Sequence, residues 1–444
     1  MKNYSIWKDN IKLTDFQVLD KDIETDILII GGGITGISIL YQLKNTKLNT
    51  ILVDQGKIGL QTTANSIGKL TFLQNDLLDK IRNSFGDEIG KKYLESQINA
   101  INMVISIIRK EKIKCDLIKV PSILYTNNIN EIEKIKDLKR FLEKCNIRVN
   151  LESTSLIESK YMIKVDDTYI FNPLKYIYGL ARKLNNIYEN TKIKKIIKKD
   201  KYYLCYSNKS IIKAKNVVIA SHYPYFNLPF IFPIKATLEK SYLSASKYLG
   251  NDISLISYSN PFISIRTYLD YLIYLSNSHS INKDCDDKNN FNELIKKIND
   301  LNLRPNYLWS NIDIITNDGL PYIGKIDNNM FIATGYNTWG LATSTLASTI
   351  IKDLVLNKDN QYVSLFDPKR ENLWKIMGGF GAIYKSLSGY ISGFTKNKDK
   401  KKCTHMGCPL IYNEIENTWD CPCHGSRFDV DGKVIMSPAN KDIK

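Results

Sequence analysis

Residues 26–36 read Asp-Ile-Leu-Ile-Ile-Gly-Gly-Gly-Ile-Thr-Gly, and the fold is decided there. Asp26 to Ile30 is a short apolar run stopped by three glycines, as a buried parallel strand is. Helical character follows from Ile37 to Leu43, and Thr50 to Val53 forms a second apolar run closed by Asp54. The pattern predicts a β-α-β unit. Gly31, Gly33 and Gly36 fit G-x-G-x-x-G. One glycine makes the tight turn, one lets backbone approach a pyrophosphate, and one lets helix and strand pack closely. The amides at the helix N-terminus then face the phosphate charge. Asp54 ends the next strand about twenty residues on, where an acid that binds ribose belongs. The competing reading, a glycine-rich turn with no ligand, is weaker because strand, helix and acid all stand where the motif needs them.

NAD and FAD share this feature, and two observations favour FAD. The unit sits near the N-terminus, ahead of one long interleaved domain. A second glycine-bearing turn, Gly335 to Gly340, lies between a late strand, Met330 to Thr334, and a helix-like stretch to about Leu356. It could bring a helix N-terminus towards a flavin ring and favour electron density there. Elsewhere, residues 75–110 read as helical. Tyr202–Tyr206 and Ile211–Ala214 resemble a hairpin around Asn208-Lys209, and Asn216–Ala220 reads as another buried strand.

Composition is that of a globular protein: 43% hydrophobic and 24% charged residues in 444. No apolar run approaches the roughly 18–20 residues of a membrane span, and the first residues lack the apolar core of a signal peptide. The expected location is the cytoplasm. The net charge of +16 is spread along a lysine-rich chain, and no nucleic-acid motif accompanies it. Leu373 to Phe394 is partly amphipathic. A linker helix is the preferred reading there, and peripheral membrane contact is the alternative.

Of eight cysteines, Cys115, Cys145, Cys205 and Cys285 are scattered, while Cys403, Cys408, Cys421 and Cys423 crowd together. Such clustering in a cytoplasmic chain suggests a metal site before a disulfide framework. Cys403-Thr404-His405 is C-x-H, and Cys421-Pro422-Cys423-His424 supplies C-x-x-H after fifteen intervening residues. Two thiolates and two imidazoles make a four-ligand set. Thiolates suit iron and sulfide, and imidazole on one iron raises the reduction potential. Zinc accepts the same ligand types, though zinc fingers usually open with C-x₂₋₄-C. A metal-free module is the remaining alternative. His222 and His279 lie outside these motifs and read as structural.

Two resemblances follow. Residues 1–370 resemble the D-amino-acid oxidase/sarcosine oxidase superfamily of FAD enzymes. The matching stretches are the glycine motif with Asp54, Gly59 to Leu70, Asp318 to Gly324, and Ala333 to Gly340. The resemblance implies that Gly31, Gly33, Gly36, Asp54, Thr62, Thr63, Gly335, Gly340, Leu341 and Ala342 line an FAD site, with Ile193 at the adenine. The strings CTHMGC and CPCHGSRFD resemble Rieske proteins. That implies a [2Fe–2S] cluster with Cys403 and Cys421 on one iron, His405 and His424 on the other, and a disulfide between Cys408 and Cys423. The implied fold is a two-domain α/β (α+β) FAD-binding Rossmann-type fold with an interleaved substrate domain, plus a small all-β module. The expected boundaries are an N-terminal extension, 1–24, and an oxidoreductase, 25–360, whose dinucleotide part covers about 25–75, 185–222 and 310–358. A linker, 361–400, and the cluster module, 401–444, complete the chain.

The function expected from the resemblance is oxidation of an amine or amino acid at its C–N bond, with electrons passing from flavin to cluster and on to an unknown acceptor. A non-catalytic redox or regulatory protein is the alternative. A carboxylated substrate calls for a planar guanidinium. Arg266, on a strand of the substrate domain, is the candidate anchor and Tyr268 its polar neighbour.

Overall fold

The computed structural model describes residues 1–9, 11–154, 156–224, 236–281, 286–370 and 401–443. The expected linker from 371 onward, the amphipathic stretch and Cys285 lie outside them. Two eight-stranded sheets form the body, and a four-stranded antiparallel sheet forms the C-terminal module.

The first sheet is built on Ile23–Ile30, which runs parallel to Thr50–Val53 on one side and to Ile211–Ile219 on the other. All three bury their central apolar residues on both faces, as central parallel strands do. Ile211–Ile219 is long enough to serve two partners along one edge. Its start pairs antiparallel with Tyr203–Tyr206 and its end pairs parallel with Met330–Thr334. The expected hairpin and the separate strand after it are therefore one continuous element. Helices Ile34–Leu43 and Gly340–Val355 pack against each other beside this sheet, and both begin at glycine turns at the strand ends. In such sheets ligands bind in the crevice outside the carboxyl ends of the strands.

The second sheet runs in the order Pro305–Thr316, Ala236–Lys247, Tyr271–Ser280, Ser264–Tyr268, Ser254–Ser257, Ser122–Thr126, Tyr161–Val165, Val149–Leu151. Its first two strands have twelve residues each and form a wall between the body and the module. The N-terminal stretch, expected as a polar extension, is packed in. Trp7 is wholly buried and its indole N–H donates to the Ser66 carbonyl at 2.7 Å. Among the described residues, no helix is long and apolar enough to cross a membrane.

Candidate active site

One cleft, holding about 1660 Å³ of empty space partly open to solvent, runs from the glycine motif to the wall strands. Gly31 sits at φ +114°, and a Cβ there would lie 2.8 Å from the Ala220 backbone. A Cβ on Gly36 would lie 1.8 Å from the Gly31 carbonyl oxygen, so this glycine sets the approach of helix to strand. Asp54 accepts from the amides of Gly32 (2.7 Å) and Gly56 (2.8 Å), which fixes its carboxylate at the cavity wall. Burial raises its carboxyl against those bonds. Thr63 Oγ1 accepts from the Ile34 amide at 3.1 Å. At the far turn, Asn337 Oδ1 accepts from the Thr316 amide at 2.7 Å and its Nδ2 donates to the Gly319 carbonyl at 2.8 Å. This ties Gly335, at φ +74°, to the Asp318–Gly324 segment.

The cavity fits a long dinucleotide. Gly31, Gly33, Asp54, Thr62, Thr63, Ile193, Gly335, Gly340 and Leu341 line it. Gly36 and Ala342 do not. Gly36 packs beneath the motif, and Ala342 is buried one turn into its helix. Along the same wall Thr62 Oγ1, Gln55 Oε1 and His222 Nε2 are buried without a hydrogen-bond partner among the described residues. Orphaned polar atoms of this kind are costly unless a bound group completes them. His222 is therefore a cavity residue, not a purely structural one, and burial pushes its imidazole down to about 4. His279 remains structural, with Nε2 3.1 Å from the Tyr242 hydroxyl.

The expected substrate anchor is corrected. Arg266 is fully buried, and its guanidinium donates to the carbonyls of Gly68, Phe171 and Thr267. It does not line the cavity. It shares a strand face with Ser264, which does, but stands one step further out, where Trp7 and the Gly68 loop fill the space. Tyr268 donates to Asp116 at 2.9 Å and accepts from Asn172, also outside the cavity.

In the module, strands Ile411–Asn413, Thr418–Asp420, Arg427–Phe428 and Val434–Met436 form one antiparallel sheet. Two loops bring the predicted ligands together. Cys403 and Cys421 are buried free thiols, the rings of His405 and His424 lie 5.1 Å apart, and His405 Nδ1 is buried with no hydrogen-bond partner among the described residues. Cys408 and Cys423 are joined by a disulfide linking the two loops, with Cα atoms 6.5 Å apart. Two sequestered thiols and two imidazoles, one with an orphaned nitrogen, suit a cluster with mixed ligands.

The module is seated on the wall strands. A Cβ on Gly425, next to His424, would lie 3.1 Å from Leu238 and 3.5 Å from Ile312. Glu416 accepts from the Ser310 amide at 3.0 Å. Lys240 is buried between Asp287 and Asp420, at 2.7 Å from each. Arg427 joins Asp420 at 2.9 Å and Glu416 at 2.7 Å. Burial alone would raise the Asp420 carboxyl, but Arg427 and Lys240 hold it well below its usual range. Lys8, from the N-terminal turn, also senses Glu416 and Arg427. Around the corner, Met436 and Ser437 enter the cavity lining itself.

The sequence model of the FAD dependent oxidoreductase family matches residues 26–354. The chain belongs to that family. The Rieske [2Fe-2S] domain model matches residues 399–444. This FAD dependent oxidoreductase therefore binds FAD in its body and a [2Fe–2S] cluster in its module. It is 28% identical to the Rieske 2Fe-2S iron-sulfur protein YhfW of Bacillus subtilis, over 99% of this chain and 96% of that one. The tail alone is 48% identical to the cytochrome b6-f complex iron-sulfur subunit 2 of Nostoc, over 15% of this chain and 42% of that one. Among solved structures, glycine oxidase from Geobacillus kaustophilus superposes with a TM-score of 0.65 at 16% identity, covering 78% of this chain and 99% of that one. L-amino acid deaminase from Proteus vulgaris gives 0.65 at 13%, covering 81% and 100%. At these identities the superpositions speak for the fold.

Proposed function

We propose that this oxidoreductase oxidises an amine at its C–N bond and delivers the electrons singly, through its C-terminal module, to an external acceptor. When bound, FAD supplies the capacity to take a hydride equivalent from carbon, and the [2Fe–2S] centre supplies one-electron exchange. The chain's residues do the rest. Gly31, Gly33, Thr62 and Thr63 hold the dinucleotide at the strand ends. The turn at Gly335–Gly340 closes the opposite side. Phe262 and Leu275 offer apolar contact that excludes water, so the substrate C–H is held dry and oriented.

The observation that carries this reading is the two-faced wall. In strand Pro305–Thr316, Asn311 and Asp313 line the cavity, while Ser310 and Ile312 meet the cluster module. Alternate side chains of one strand point to opposite faces, so a single strand separates the two cofactor sites. Structural relatives titled as amino-acid oxidases and deaminases support the substrate chemistry. The test is anaerobic addition of amines and amino acids to iron-replete protein, followed by visible and EPR spectroscopy. The expected result is bleaching of the flavin bands together with appearance of the reduced-cluster EPR signal. Bleaching with the cluster left oxidised would overturn transfer through the module. No bleaching by any amine or amino acid would favour a non-catalytic redox role.

A further inference from the structure

The part of the cavity lined by strand Pro305–Thr316 is rich in hydrogen-bond acceptors. Asp313 lines it, with cavity-facing surface and otherwise packed in protein. Asn311 donates through Nδ2 to Asp313 at 3.1 Å, which leaves Asn311 Oδ1 buried with no partner among the described residues. Ser264 Oγ, 1% exposed, is also buried along the cavity without a partner among the described residues, but three strands away across the sheet. Directly across the antiparallel pair, Glu239 is in register with Asp313, on the same face of the sheet. Cations are scarce. Every arginine of the chain is among the described residues, and none lines the cavity. Lys57 and Lys69 do, but Lys57 pairs with Asp15, and the Lys69 ammonium nitrogen donates to the Leu255 carbonyl at 2.6 Å while burial pushes it well below its usual range.

We infer that this chamber binds its substrate through a positively charged amino group held by Asp313 with the free oxygen of Asn311, and that the substrate class is amines whose binding needs no carboxylate. This rests on the reading of the chain as a C–N oxidising enzyme. A carboxylate here would meet Asp313 with no guanidinium to offset it, whereas an ammonium pairs with Asp313 and completes the orphaned Asn311 oxygen. Burial, opposed by the Asn311 bond and reinforced by Glu239, pushes the Asp313 carboxyl up to about 7. That value suits a second task. The N–H bond of the bound ammonium breaks, its proton forms an O–H bond on Asp313, and a neutral amine and a neutral carboxyl remain. Only the neutral amine, with its lone pair, can give up hydride.

The test uses two molecules of one shape and opposite charge, tert-butylammonium and pivalate. Neither has an α-hydrogen, so binding to the FAD-loaded protein is read by calorimetry without turnover. At pH 8 the ammonium is expected to bind at least tenfold tighter than pivalate, and Asp313→Asn to weaken it tenfold or more. Between pH 6 and 8 its affinity for the wild type should rise about tenfold as Asp313 loses its proton. Lys69 would titrate with the same sign and His222 lies too low to contribute, so the slope must flatten in Asp313→Asn. Tighter binding of pivalate, an unchanged variant, or a flat wild-type profile would each overturn the inference. The wild-type profile decides even if the variant does not fold. Pivalate preference would still leave C–N oxidation of a carboxylated substrate standing, and failure of amine oxidation would leave this binding result intact.

Discussion

At the residue scale, the glycines of the motif separate two roles that look alike in sequence. A Cβ on Gly33 meets nothing closer than Thr63 Oγ1 at 3.5 Å, whereas one on Gly36 would strike the Gly31 carbonyl. Gly33→Ala is therefore expected to fold with an unchanged melting temperature but a lower flavin-to-protein ratio, because only the ligand needs that space. Gly36→Ala should lose about 1–3 kcal/mol of stability by overpacking, read as a lower denaturant midpoint in the flavin-free protein. The glycine motif, Asp54 and the two Cys–His pairs that the module brings together were legible because their spacing is local and fixed. Arg266 was misread, since an arginine on a buried strand looks the same whether it faces a ligand or three carbonyls. Asp313 was overlooked, though the alternation of polar Asn311 and Asp313 with apolar Ile312 and Ile314 was a visible period-two signal.

At the element scale, the wall strands carry the most consequence. Lys240 is on the module-facing side of Ala236–Lys247, between carboxylates from helix Asp287–Asp300 and from the module. Removing one member of such a set leaves uncompensated buried charge, at a cost of about 3–5 kcal/mol. Lys240→Met is expected to loosen the module from the wall while leaving its four-stranded sheet and ligand loops formed. Stopped-flow measurement should then show slower cluster reduction after substrate addition, with an unchanged cluster EPR signal in the fully reduced protein. Equal rates in variant and wild type would show that this seat does not govern transfer. The sequence disclosed neither seat nor partners, because the pairing joins residues as distant as Lys240, Asp287 and Asp420.

At the scale of the whole molecule, the +16 charge conceals a balanced interior. Lys240 and Arg427 meet Asp287, Glu416 and Asp420 where body and module join. Both domains were legible from their own motifs, but their union was not, since it depends on the registers of long strands. That union also bears on how long the protein keeps its prosthetic group. Met436 and Ser437 belong to the module yet form part of the flavin cavity, so the cap over the body's cofactor is tethered to the other cofactor's scaffold. Sub-global openings of this kind set exchange rates in folded proteins. Flavin should therefore dissociate faster from Lys240→Met than from wild type when an excess of apo-glucose oxidase traps the released FAD, making cofactor retention a shared property of both halves of the chain.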